Sequence, residues 1–255
     1  MITQAIIKRK KAVLPYVTAG VPSLDVTGEI IHALEEAGAA AIEIGLPFSD
    51  PMADGPVLQK ASYMALQAGF NTDDLLARLK GWSTRLHIPL IVMSYINPLM
   101  RKGLQRTLKS LHLSGVKGVI IPDLPRDAQE IYTDCRGIGL DLIRLVAPTT
   151  SKERHSEVLG QCSGFVYAVS IKGVTGQRNA LPSELRSQVS MIRKFTDLPV
   201  CIGFGVSTAS QVDELHSFAD GVIVGSFLMD RIMNSQDPVR TAHEALRELL
   251  NDKQS

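Results

Sequence analysis

The chain has 255 residues, 45% of them hydrophobic and 21% charged, and its 27 basic and 26 acidic side chains leave a formal net charge of +1. A balance so near neutrality excludes the concentrated basic face that nucleic acids and anionic membranes require. The length can bury a substantial core without disulfides or metals. The three cysteines, Cys135, Cys162 and Cys201, are odd in number and form no CxxC pair, so they read as small buried hydrophobes in a reducing compartment.

At the N-terminus Ile2, Ile6 and Ile7 precede the basic run at residues 8–11, the reverse of a secretory signal, and that run reads as a solvated segment. No apolar stretch approaches the roughly 20 residues of a membrane span, and a cytoplasmic protein is expected. Short apolar runs then alternate with longer amphipathic ones to the end of the chain. Strand candidates occupy residues 13–17, 41–44, 90–94, 118–121, 142–146, 165–169, 200–202 and 221–224. Helix-like stretches lie at residues 26–37, 59–67, 72–84, 105–113 and 209–218, with a last one at 239–250. Continuous β-branched and apolar runs, rather than strict alternation, mark strands covered on both sides. Repeated β-then-α order implies parallel strands with right-handed crossovers, and eight such units in this length point to a (β/α)8 TIM barrel, one domain over residues 1–255. An open doubly wound sheet usually carries GxGxxG after its first strand; residues 18–22, Thr-Ala-Gly-Val-Pro, do not.

In such a barrel the chemistry sits just after each strand, at the C-terminal face. Glu43 lies within the apolar run Ala40-Ala41-Ile42-Glu43-Ile44. A carboxylate turned into the barrel loses water, which costs several kcal/mol unless it is partnered and raises its pKa toward neutrality. A glutamate on the outer strand face, paired with a helix, is the other reading. Asp54 precedes Gly55 and Pro56, and by itself reads as turn punctuation before a helix as readily as a second carboxylate. Three glycine-rich segments follow the last three strands: residues 173–176 (GVTG), 203–205 (Gly-Phe-Gly) and 225–226 (Gly-Ser), with a short extra helix expected at 227–233. Small residues let main-chain N–H groups approach a phosphate, and the loops after strands seven and eight are the usual phosphate site of this fold. The six histidines show no metal-ligand spacing, no metal is expected, and Trp82 reads as packing.

Over nearly its whole length the sequence resembles the tryptophan synthase α subunit family. The most specific stretch is residues 43–59, EIGLPFSDPMADGPVLQ, supported by residues 93–98 (MSYINP), 121–125 (IPDLP), 145–149 (LVAPT), GVTG and the Gly-Phe-Gly turn. It departs from the usual pattern at Val21, at Met64 and at Ile171–Lys172. The resemblance implies cofactor-free retro-aldol cleavage of indole-3-glycerol phosphate to indole and glyceraldehyde 3-phosphate. Glu43 is then the acid–base group and Asp54 stabilises the indole N–H. Tyr16, Tyr95, Tyr167, Thr175 and Phe204 match substrate-binding positions, while Gly176, Gly205, Gly225 and Ser226 match the phosphate site. The segment at Asp50 and Pro51 matches a loop facing a β subunit, which holds pyridoxal phosphate, in an α2β2 assembly. The alternative is a barrel that acts mainly as an allosteric activator of that subunit, with little lyase activity.

Overall fold

In a computed structural model of the chain, which describes residues 1–125, 127–170 and 182–250, eight parallel strands close into a barrel in chain order. They are β1 (Val13–Thr18), β2 (Ile42–Gly45), β3 (Leu90–Met93), β4 (Gly118–Ile120), β5 (Asp141–Val146), β6 (Val166–Val169), β7 (Val200–Gly203) and β8 (Gly221–Val224). Closure is made by β8 pairing back onto β1, Val13 opposite Val222. The strands fall within a residue or two of the apolar runs that announce them.

Around them lie α1 (Ile2–Ile7), α2 (Leu24–Glu36), α3 (Pro56–Gln67), α4 (Thr72–Ser83), α5 (Ile96–Met100), α6 (Leu104–Leu113), α7 (Gln129–Ile138), α8 (Lys152–Leu159), α9 (Pro182–Ile192), α10 (Ala209–His216), α11 (Ser226–Met233) and α12 (Pro238–Leu249). Several begin at side chains suited to satisfying free N–H groups. The Ser23 hydroxyl accepts from Val26 N–H at the start of α2, and Thr208 with Gln211 forms a capping box on α10. Helix α7 stops at Gly139, whose φ of 77° only glycine adopts cheaply. Five of the helices, α1, α5, α7, α8 and α9, are not among the stretches expected from sequence. Only Cys135 is buried on α7, and α5 is a five-residue turn with Pro98 in its first turn, where a missing N–H does no harm.

Each strand divides its side chains between two cores. On β2, Ile42 and Ile44 face the helices and share a core with Ile31, Leu34, Leu75 and Leu79. Ala41 faces the other way, into a cluster with Leu14, Ile91, Ile120, Ile143 and Phe165 inside the barrel. The amino end of that cluster is stoppered by α1, whose Ile2 and Ile6 are both fully buried. Burying two such side chains contributes on the order of 1.5–3 kcal/mol each, and the Thr3 hydroxyl fastens the stopper by donating to the Gly164 carbonyl at 2.7 Å. Beyond it Lys8, Arg9 and Lys10 are exposed as expected, while Lys11 pairs with Asp213. Cys135, Cys162 and Cys201 are buried free thiols, and Trp82 packs against Gly28. Among the described residues no helix is long and apolar enough to cross a membrane, and no three His, Cys, Asp or Glu side chains are grouped to hold a metal ion.

Candidate active site

Side chains alternate across a strand, so on β2 Glu43 and Gly45 face inward, in line with Ala41 just before it. Glu43 therefore points into the barrel, opposite Tyr16 of β1 and Ile91 of β3. It is fully buried, and neither carboxyl oxygen has a hydrogen-bond partner among the described residues. Burial pushes its pKa from 4.5 up to about 8. Ionising a carboxyl group so deeply buried costs several kcal/mol, so the protonated form is favoured near neutral pH.

Asp54 arrives from the long connection between β2 and α3. Its main chain is well fixed: the N–H donates to the Pro51 carbonyl at 3.0 Å, and the Gln59 side chain donates to the Asp54 carbonyl at 2.9 Å. Gly55 and Pro56 then start α3, with proline at a first-turn position that needs no N–H donor. Asp54 is 7% exposed, which excludes the plain surface turn. Burial raises its pKa from 3.8 to about 6, and the hydroxyl of Tyr95 opposes part of that rise. At neutral pH the two acids thus differ: Glu43 is a proton donor and Asp54 chiefly an anion, the asymmetry that lets one site run acid and base chemistry.

Tyr16 and Tyr167 surround this pair. Burial first, then the nearby Asp54 and Glu43, hold both phenols above their ordinary pKa, so they remain neutral. Their rings fill space that two glycines leave open. A Cβ on Gly45 would run into the Tyr16 ring and hydroxyl, and one on Gly203 would lie 2.6 Å from the Tyr167 ring edge.

Above the tyrosines is a cavity of about 140 Å³ at the carboxyl ends of the strands. Its lining combines apolar side chains, Leu58, Met93, Leu145, Val169, Phe204 and Ile223, with the small residues Gly205, Gly225 and Ser226. Gly205 adopts φ 57°, and Gly225 caps α11 with no side-chain hydrogen bond of its own. The opening N–H groups of any helix lack partners within it and carry the positive end of its dipole. The start of α11 is therefore suited to an anion. Larger depressions elsewhere among the described residues, such as those of about 600 Å³ beside Phe48 and Pro98 and about 500 Å³ beside His155 and Gln188, contain neither acid.

Of the residues expected from sequence, Tyr16, Asp54, Tyr167, Phe204, Gly205, Gly225 and Ser226 line one cavity. Glu43 lies beneath it within the barrel, near enough for its charge to act on Tyr16 and Tyr167. Tyr95 stands behind Asp54 rather than in the wall, its hydroxyl accepting the Ala53 N–H at 2.8 Å. Thr175 and Gly176 lie outside the described residues, as do Ile171 and Lys172. Of the apolar lining, Phe204 was expected, and Leu58, Met93, Leu145, Val169 and Ile223 were not. Alternation within β3, β5 and β8 is the signal that marks Met93, Leu145 and Ile223 as inward-facing.

The chain is similar over nearly its whole length to proteins of one family. The family model for the tryptophan synthase alpha chain matches residues 2–254. A tryptophan synthase alpha chain from Carboxydothermus hydrogenoformans is 46% identical over 226 residues, covering 88% of this chain and 85% of the relative. One from Synechococcus elongatus is 40% identical over 243 residues, 94% of this chain and 91% of the other. Among solved structures, the tryptophan synthase α-subunit of Pyrococcus furiosus superposes with a TM-score of 0.87 at 33% identity, over 95% of this chain and 98% of that one. A chain from the tryptophan synthase complex of the same organism gives 0.87 at 33%, over 94% and 98%.

Proposed function

This chain belongs to the tryptophan synthase alpha chain family, and we propose that it cleaves indole-3-glycerol phosphate to indole and glyceraldehyde 3-phosphate. Membership supports a lyase serving the α reaction of tryptophan biosynthesis. The observation that carries the finer reading is Glu43, a fully buried carboxyl group with no hydrogen-bond partner among the described residues, beneath a cavity lined by both apolar side chains and glycines.

The chemistry needs such a group. Indole leaves poorly until its C3 is protonated, which turns the ring into an electron-poor indolenine. Neutral Glu43 gives its proton to C3, and the carboxylate left behind takes the proton of the adjacent side-chain hydroxyl. As that proton departs, the hydroxyl oxygen becomes the aldehyde carbonyl, and the electrons of the breaking C–C bond return to the ring. Glu43 is thereby protonated again, and no external acid or redox partner is consumed. Anionic Asp54 accepts from the indole N–H and stabilises the positive charge that builds there. The apolar lining suits a flat aromatic ring, and Tyr16, Tyr167 and Phe204 flank it. Gly205, Gly225 and Ser226, with the start of α11, receive the phosphate, with Thr175 and Gly176 assigned to substrate and phosphate by family likeness.

In this reading residues 1–255 form one cytoplasmic barrel domain without a cofactor of its own. Its partner is a β subunit carrying pyridoxal phosphate, in an α2β2 assembly. The name of the Pyrococcus furiosus complex supports the partnership. The test is to incubate purified chain with indole-3-glycerol phosphate, alone and with a β subunit. Indole and glyceraldehyde 3-phosphate are expected in equal amounts; no indole under either condition overturns the proposal.

A further inference from the structure

Tyr95 stands at the N-cap of α5 and is 5% exposed. Its ring is wedged beside Phe48, centroid to centroid 5.3 Å. The next residue is tethered too, since the Ile96 N–H donates to the Asp123 carboxylate at 2.9 Å. The Tyr95 hydroxyl accepts the Ala53 N–H at 2.8 Å. A phenol hydroxyl carries one proton and can accept as well as donate, so with the amide on its oxygen the proton remains for the Asp54 carboxylate that it faces. One side chain from the third βα unit thus holds the backbone just before Asp54 and keeps a proton to offer its acid group. We propose that Tyr95 is a positioning residue for the reaction, holding Asp54 at the cavity rim by a hydrogen bond to its carboxylate and a second to the chain just before it.

This inference rests on the role given to Asp54 above. A mobile Asp54 would meet the indole N–H only part of the time, and orientation lost in this way costs rate even when every reacting group is present. The titratable groups around Asp54 are Tyr16 of β1, Tyr95 of the β3–α5 turn and Tyr167 of β6, with Glu43 beyond them. Of these, Tyr95 is the one that favours the ionised form of Asp54, against the effect of burial.

The test compares Tyr95→Phe, Asp54→Asn and the unaltered chain. Removing the hydroxyl should lower kcat/KM about tenfold, the scale of one hydrogen bond to a charged group. It should also move the acid limb of the pH profile to higher pH, because Asp54 loses a donor to its anion. Carbon-13 titration of the Asp54 carboxyl, assigned by its loss in Asp54→Asn, reads the same shift without any turnover. A Tyr95 that served packing alone would lower Tm and leave both titrations in place. An unshifted Asp54 resonance in Tyr95→Phe overturns the proposal. Wild-type turnover by Asp54→Asn would instead remove Asp54 from the mechanism, and the resonance would still decide whether Tyr95 governs it.

Discussion

At the amino ends of the strands, Ile2 and Ile6 of α1 close the barrel with fully buried hydrocarbon, and the inner cluster they join is almost wholly apolar. At the carboxyl ends lie Glu43, whose oxygens find no partner among the described residues, buried Asp54, tyrosines wedged against glycines and the start of α11. One end is arranged as stability requires. The other retains groups that stability alone would remove, which is the usual mark of a site shaped by chemistry.

The contrast can be broken from either end. Ile6→Ala should cause the largest loss of stability, about 2–5 kcal/mol for a buried isoleucine cut to alanine, seen as a lower midpoint in denaturant. Indole release well below the melting temperature should be unchanged; a matching fall in kcat/KM would mean that the two ends are not separable. Gly45→Ala should cost about 1–3 kcal/mol by overpacking, because its new methyl meets Tyr16. Here stability and kcat/KM should fall together.

Glu43→Gln sharpens the contrast with a gain. The folded pKa of Glu43 is raised from 4.5 to about 8 by burial. The unfolded chain therefore ionises first, and the wild type loses stability as pH climbs through that window. The glutamine variant lacks this loss, so its Tm should exceed that of the wild type at a pH of about 8. The gain should grow with pH through that window and fade toward a pH of about 5. A Tm difference independent of pH would show that Glu43 is not held neutral. The smallest effect is expected for Ser226→Ala, which removes one hydroxyl from the proposed phosphate site. KM should rise about fivefold, roughly 1 kcal/mol, with kcat intact; a change confined to kcat would place Ser226 elsewhere in the mechanism.

The strands were legible because parallel strands covered on both sides need unbroken apolar runs, as at residues 118–120 and 221–224. The helices were less so. α8 is mostly polar, and α1 is too short for its two buried isoleucines to show a period. Glu43 announced itself as the one charge in an apolar run, and small inward neighbours, Ala41 and Gly45, could have fixed its direction. Asp54 could not be resolved from local sequence, because Asp-Gly-Pro is common turn punctuation. Its burial depends on a loop held by Tyr95, more than forty residues away, which no local pattern encodes. The apolar lining is likewise spread over several strands and a helix, so it exists only once the barrel closes.

The central claim is that burial keeps Glu43 protonated so that it can deliver a proton to carbon. Single-turnover indole release by Glu43→Gln, set against the wild type at neutral pH, tests it most directly. A fall of at least about 10²-fold with substrate affinity largely retained is expected, the scale of a lost general acid–base. Release at the wild-type rate would contradict the claim.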